Sequence, residues 1–199
     1  RHTRYWRDWS SDVCSSDLTE TAERIARAAK EASKAGFGII NVNPDPIGRP
    51  KTEKELEIQA DALTELGEEL AQLGMKLGIH HHTPELADGA KEFHWNFQHC
   101  PRQTVGFCYD VHWVYRGGIA PAACLAQYGE RIVSWHLRQS RDKVWSEDLD
   151  SGDLDYPAIA RFAQEHQIPA FYTVELALES GTRITRGVVE NHRLSREYV

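Results

Sequence analysis

Met75-Lys76-Leu77-Gly78-Ile79-His80-His81-His82-Thr83-Pro84-Glu85 is the stretch on which the reading of this chain turns. Met75, Leu77 and Ile79 recur at the two-residue period of a strand, and that strand runs straight into three histidines. Alternation sends Ile79 and His81 to one face and His80 and His82 to the other. Three adjacent histidines seldom serve packing, so this strand end reads as a functional edge. Glu85 follows in the loop, beside Pro84.

The same design recurs along the chain. Val105-Gly106-Phe107-Cys108-Tyr109-Asp110 is an apolar run closed by an acid, which is costly to bury unless it is paired or bound to a metal. Val133-Ser134-Trp135-His136-Leu137 carries a histidine near its end, and Tyr172-Thr173-Val174 leads into Glu175. Helical periods lie between the strands. Ala22, Ile25, Ala26, Ala29 and Ala32 mark one helix face; Leu56, Ala60, Leu63, Leu66, Leu70 and Leu73 mark another, introduced by a Thr52–Glu55 capping box. Further helices are expected over about 87–98, 121–128, 156–166 and 182–198, a first strand over 38–43, and a long polar loop over 138–155.

Alternating strands and helices imply parallel strands joined by right-handed crossovers. The expected fold is α/β, a (β/α)8 TIM barrel, in which residues at the carboxyl ends of the strands converge on one face. About five of the eight strands are recognisable, and the 199 residues compare with about 250 for a typical barrel. An open doubly wound sheet is the alternative; it would place ligands at a switch in strand order. Arg7 to Leu18 shows neither period and matches, in one frame, the translated end of a common sequencing adapter. Residues 1–18 are therefore expected to be non-native and 19–199 to be the C-terminal part of the barrel, with a genuine polar arm as the alternative.

Composition narrows the function. A net charge of −7 argues against a surface built for nucleic-acid phosphates. No apolar run approaches the roughly 20 residues that span a membrane, and Arg1 to Asp8 lack the apolar core of a signal peptide. Cys14, Cys100, Cys108 and Cys124 form no C-x-x-C pair, as expected of free thiols in the cytoplasm. The expected partner is a small polar molecule, with no nucleic acid and no membrane; a homo-oligomer is compatible with the sequence. Imidazoles and carboxylates gathered at strand ends suit a divalent cation.

On these residues the chain resembles the sugar phosphate isomerase/epimerase superfamily, the xylose isomerase-like TIM barrels. The marks are Leu77 to Glu85, Tyr109-Asp110-Val111-His112-Trp113 with the later Gly117-Gly118, His136-Leu137-Arg138, Gly152-Asp153-Leu154-Asp155 and Val174-Glu175. The resemblance implies a metal set of two glutamates, one aspartate and one histidine. Asp110, His136 and Glu175 match three of these, and the remaining glutamate falls near His80. The His-Leu-Lys-Asp signature of many relatives reads His136-Leu137-Arg138-Gln139 here.

The resemblance implies Mn²⁺, Co²⁺ or Mg²⁺ held by Asp110, His136, Glu175 and one group from His80, His82 or Glu85. Proton transfer next to a ketose carbonyl would use Glu175 with His80, His82 or Glu85 as its partner. His112 and Trp113, with Tyr115 and Arg116, would wall a sugar or cyclitol pocket. Arg138 or Arg141 would orient hydroxyls or a phosphate, or be solvated loop charges. Isomerase, epimerase and inosose-type dehydratase share one enediolate, so the sequence does not separate them. A non-catalytic sugar-binding relative is a rival; a nuclease of the endonuclease IV kind is another, disfavoured by the acidic balance.

Overall fold

The computed structural model describes residues 15–199 apart from Ala170 and Ala177, with side chains described from Glu20 onward. Helix α1 (Ser15–Lys34) leads into strand β1 (Ile39–Val42), helix α2 (Glu53–Gln72), strand β2 (Lys76–Ile79) and helix α3 (Ala87–His99). Strand β3 (Val105–Asp110) is followed by α4 (Val111–Arg116), α5 (Pro121–Tyr128) and β4 (Ile132–Leu137). A small hairpin of β5 (Ser140–Arg141) and β6 (Val144–Trp145) precedes α6 (Tyr156–Glu165), β7 (Tyr172–Val174) and α7 (Val188–Tyr198). The main sheet runs β1-β2-β3-β4-β7 with every pairing parallel. Strands in chain order, with no reversal, are the staves of a barrel wall rather than a doubly wound sheet.

The core lies between the outer face of the sheet and the helices. Leu77, Ile79, Phe107, Tyr109 and Trp135 are buried against Leu66, Leu70, Phe93, Phe97 and Leu125. Each large apolar side chain taken fully from water contributes about 1.5–3 kcal/mol. His81 belongs to this layer, as the alternation requires. Its ring lies 4.7 Å from Phe93 and 5.4 Å from Phe97, and neither ring nitrogen has a partner. Burial pushes His81 well below its ordinary pKa, so it packs as a neutral aromatic.

One irregularity sets the phase of the site. Phe107 pairs with Ile132, yet Cys108 pairs with Ser134, so Val133 is an extra residue on β4. This bulge keeps Ser134 and His136 in step with Cys108 and Asp110 on the inner face; without it every later side chain on β4 would change face. Val133 turns over two glycines. A Cβ at Gly106 would lie 2.5 Å from Val133 Cγ1, and one at Gly78 3.1 Å from Val133 Cγ2 and 2.3 Å from Asn41 Oδ1.

Three segments differ from the sequence expectation. The helix expected from Ala87 contains Asp88, Gly89 and Ala90 at φ of 51°, 67° and 61°, so its regular part starts after Ala90. Two non-glycine residues there cost roughly 1–2 kcal/mol each; the turn is held by Glu85 O, which accepts from Phe93 N at 3.1 Å. The last helix starts at Val188 rather than 182, because the Glu147 carboxylate takes the N–H groups of Thr185 (2.8 Å) and Arg186 (3.2 Å). The long polar loop contains the β5–β6 hairpin, whose turn residues Asp142 and Lys143 both have positive φ and donate their N–H groups to the Asp153 carboxylate at 3.2 and 3.0 Å. The Thr52–Glu55 capping box is present.

Of the segment expected to be non-native, residues 1–14 lie outside the described residues, and residues 15–18 are the first of α1. Cys100, Cys108 and Cys124 are free and buried, while Cys14 lies outside the described residues. Among the described residues no strand pairs with the outer edge of β1 or β7, and Phe37, Phe171 and Tyr172 beside those edges are exposed. None of the described helices is long and apolar enough to cross a membrane.

Gly106→Ala forces its new methyl against Val133 and the bulge. We expect it to destabilise the fold by about 1–3 kcal/mol in urea denaturation. Unchanged stability would show that Val133 does not press on this position.

Candidate active site at the strand ends

Four neighbouring strands bring the site together. β2 runs into His80, β3 ends on Asp110, β4 carries His136, and Glu175 follows β7 with its N–H on Leu137 O at 3.1 Å. One ligand atom from each of His80, Asp110 and His136 lies within 4.8 Å of the others. Asp110 is buried and serves two purposes. Its Oδ1 accepts from Trp113 N at 2.8 Å, capping α4 at the end where the helix dipole favours an anion. Its Oδ2 faces the cluster, 3.3 Å from His80 Nε2.

Arg138 enters the same space. Two residues beyond His136 on the same face, its side chain is only 4% exposed. Its Nε lies 2.7 Å from Asp110 Oδ2, and a terminal nitrogen lies 2.5 Å from Glu175 Oε2. His136 Nδ1 is 2.9 Å from that same Glu175 oxygen. At Arg138 Nε and His136 Nδ1 these are charge contacts out of line for hydrogen bonds. The Arg138 backbone is fixed: its N–H donates to the Tyr156 hydroxyl at 2.9 Å, and that hydroxyl donates to its carbonyl at 2.5 Å.

The charges respond to this crowding. Burial opposes ionisation of Glu175, but His136 and Arg138 outweigh it and hold the carboxyl down at about 2. Burial likewise opposes a charged His136, and Cys108 and Glu175 beside it overcome that and push it up to about 10. His82 is half-buried and falls to about 4, through burial and the neighbouring His80.

Asn43, just past β1, orients both inward histidines. Its Nδ2 donates to His82 Nδ1 at 2.8 Å, which places the His82 proton on Nε2. His80 Nδ1 lies 3.1 Å from Asn43 Nδ2 and 3.2 Å from Asn43 Oδ1, so the amide supports either tautomer. When Nδ1–H donates to Oδ1, His80 Nε2 presents a lone pair beside Asp110 Oδ2. Two lone pairs face to face call for a cation, and an outer amide on the far nitrogen is the usual support of a ligating histidine. The donor set therefore fits a divalent ion, which His80, Asp110 and His136, once it gives up its proton, could hold with Glu175 beside them.

The other expected residues are placed as follows. Trp113 stands at the mouth, its ring 5.3 Å from His82 and 5.2 Å from Trp145, and the Arg138 guanidinium lies 4.7 Å from the Trp145 ring centre. His112 is fully buried behind the two indoles, 5.5 Å from Trp145, and burial holds it near 4. The Glu85 carboxylate does not join the cluster; it accepts from His82 N at 2.6 Å and closes the turn after β2. Arg141 is turned to the hairpin surface, donating to Ser151 at 2.8 Å and lying 3.7 Å from Asp150.

Asn43, Cys108 and Trp145 were not among the expected site residues. Asn43 closes its strand as the acids and histidines do, and a strand-end rule extended to amides finds it. Cys108 shares the inner face with Asp110 by simple alternation. Trp145 depends on the hairpin, which leaves no periodic signal.

Burial lifts Glu85 from 4.5 to about 7, aided by Glu92 and opposed by the His82 N–H. A carboxyl raised in this way stabilises the fold fully below pH 4.5 and loses that contribution as pH climbs through about 7. Glu85→Gln is thus expected to match the parent near pH 4.5 and to exceed it at pH 8 by about 3 kcal/mol in urea denaturation. Parallel pH profiles would show that Glu85 is not held protonated.

The sequence profile described as "Xylose isomerase-like TIM barrel" matches residues 7–198. No curated protein sequence matches the chain. Among solved structures, a sugar phosphate isomerase/epimerase from Parabacteroides distasonis is 20% identical, with a TM-score of 0.75 over 99% of this chain and 68% of its own. D-allulose 3-epimerase from Methylomonas sp., in complex with D-allulose, is 11% identical, with a TM-score of 0.75 over 94% of this chain and 70% of its own. The 3-keto-D-glucoside 4-epimerase from E. coli is 16% identical, with a TM-score of 0.68 over 94% and 73%. At these identities the likeness is one of fold. The five ordered parallel strands and the profile matched over nearly the whole length lead to one conclusion: the chain belongs to the xylose isomerase-like TIM barrel family.

Proposed function

We propose that this chain is the core of a divalent-metal-dependent isomerase or epimerase of ketoses, moving a proton at the carbon next to a carbonyl. The observation that carries the reading is the convergence of His80, Asp110, His136 and Glu175 from four neighbouring strands beside two indole rings. The family supports the class of enzyme, and the named activities of its structural neighbours support a sugar or cyclitol as substrate.

A bound Mn²⁺, Co²⁺ or Mg²⁺ would supply Lewis acidity that makes the hydrogen beside the carbonyl more acidic. The chain's own groups do the rest. Glu175 is ionised at neutral pH, and its Oε2 is the oxygen facing His136 and Arg138, which leaves Oε1 to take the proton. His82 is neutral with its proton on Nε2, beside Trp113, and can donate a hydrogen bond to a substrate oxygen there, while the carboxyl of Glu175 gives back the proton it took. Asn43 fixes that tautomer. Trp113 and Trp145 offer apolar faces to the C–H side of a sugar ring and keep water from the intermediate enediolate. Return of the proton to the neighbouring carbon gives isomerisation, return to the opposite face gives epimerisation, and loss of a β-hydroxyl gives the inosose-type dehydration.

Incubation with Mn²⁺ and a panel of ketoses and inososes in heavy water tests this. We expect chelator-sensitive deuterium incorporation, lost in Asp110→Ala by more than the roughly 10–100-fold typical of outer-shell substitutions. Loss of a water mass would select the dehydratase. Sugar binding without exchange, in folded and metal-loaded protein, would replace catalysis with a binding role.

A further inference from the structure

The site holds two carboxylates and already contains a cation of its own. We propose that Arg138 is the resident counter-ion of Asp110 and Glu175, and that a divalent ion must displace its guanidinium to bind. The proposal rests on the reading of this cluster as a cation site.

The two cations would compete for the same oxygen atoms. Asp110 has two oxygens, and Oδ1 is committed to Trp113 N at the start of α4. Only Oδ2 is left for an ion, and Oδ2 is the atom that Arg138 Nε approaches to 2.7 Å. At Glu175 the oxygen turned toward the cluster is Oε2, which Arg138 approaches to 2.5 Å. A metal placed among His80, Asp110 and His136 would meet the guanidinium at the same oxygens. Two cations crowded onto shared oxygens in a buried space repel strongly, so one excludes the other. The pairing is also imperfect, since the Nε–H is out of line with its oxygen. Such a contact supplies charge balance without the full strength of a directed fork–fork pair.

The surroundings give the guanidinium somewhere to go. Tyr156 holds Arg138 by its backbone N–H and carbonyl, so the guanidinium can shift without moving the strand end. Its guanidinium already lies 4.7 Å from the Trp145 ring centre and 5.8 Å from that of Trp113. Withdrawal along these indole faces keeps a cation–π contact while releasing the carboxylates. In that position Arg138 lines the mouth, where it would meet an electronegative group of the substrate. The chain thus carries a switch between a closed, internally neutralised site and a metal-loaded one.

The test is Mn²⁺ affinity, measured by calorimetry on the parent protein, Arg138→Gln and Arg138→Lys, with melting of the chelator-treated proteins alongside. Arg138→Gln is expected to bind Mn²⁺ at least about tenfold more tightly than the parent while its metal-free form melts lower. Arg138→Lys keeps the charge but cannot bridge both carboxylates as the planar fork does. Affinity for Arg138→Lys between those of the other two is expected; it also carries the test if Arg138→Gln does not fold. Equal or weaker binding by the variants overturns the competition and leaves the cation site standing. No Mn²⁺ binding by any of the three overturns the cation site and the competition together.

Discussion

Asp110 and Glu175 are two carboxylates brought to the ends of β3 and β7, on either side of β4, one of them fully buried, and everything around them answers that charge. A buried carboxylate without a partner is destabilising by several kcal/mol, so the fold has to supply positive charge or hydrogen-bond donors at that point. Arg138, a protonated His136 and the first turn of α4 all do so. The same concentration of oxygens and imidazoles is what a divalent ion requires. On the proposed function, stability in the metal-free chain and chemistry in a loaded one would draw on the same atoms, with Arg138 between the two states.

The scaffold serves this point from below. The bulge at Val133 sets the phase that puts His136 beside Asp110, and glycines at 78 and 106 make room for it. Tyr156 grips both backbone groups of Arg138. Gln139 uses its Oε1 on Ser140 N (2.9 Å) and Leu154 N (3.0 Å), fastening the strand end to the start of α6. Gly152 lies so close to that junction that a Cβ there would stand 2.1 Å from Ser140 O. These contacts give a physical reason for the glycine and glutamine of the His136–Asp155 segment that is independent of any role with substrate.

Much of this was legible in the sequence. Strand periods ending on His80, Asp110, His136 and Glu175 marked the barrel wall and the strand ends that meet, because alternation and strand order are local properties, while the choice among His80, His82 and Glu85 stayed open. His81 was correctly sent to the outer face by the same rule. What the sequence did not show depends on long-range partners. The carboxylate of Glu85 is the local exception, spent on the N–H of His82 in the turn after β2, and Arg141 is drawn off by a hairpin that has no period. The late start of α7 follows from Glu147, 38 residues before the N–H of Thr185 that it binds. Arg138 was visible as a charge near the site, but its grip on two carboxylates at once is a property of the folded geometry alone.

The most direct measurement is anomalous diffraction from a crystal of this chain grown with Mn²⁺. A single strong peak is expected within coordination distance of His80, Asp110, His136 and Glu175, with the Arg138 guanidinium turned away toward Trp145. An absent peak, or one elsewhere on the chain, would contradict the assignment of the site. Metal bound there with Arg138 still bridging Asp110 and Glu175 would contradict the exclusive relation between the two cations.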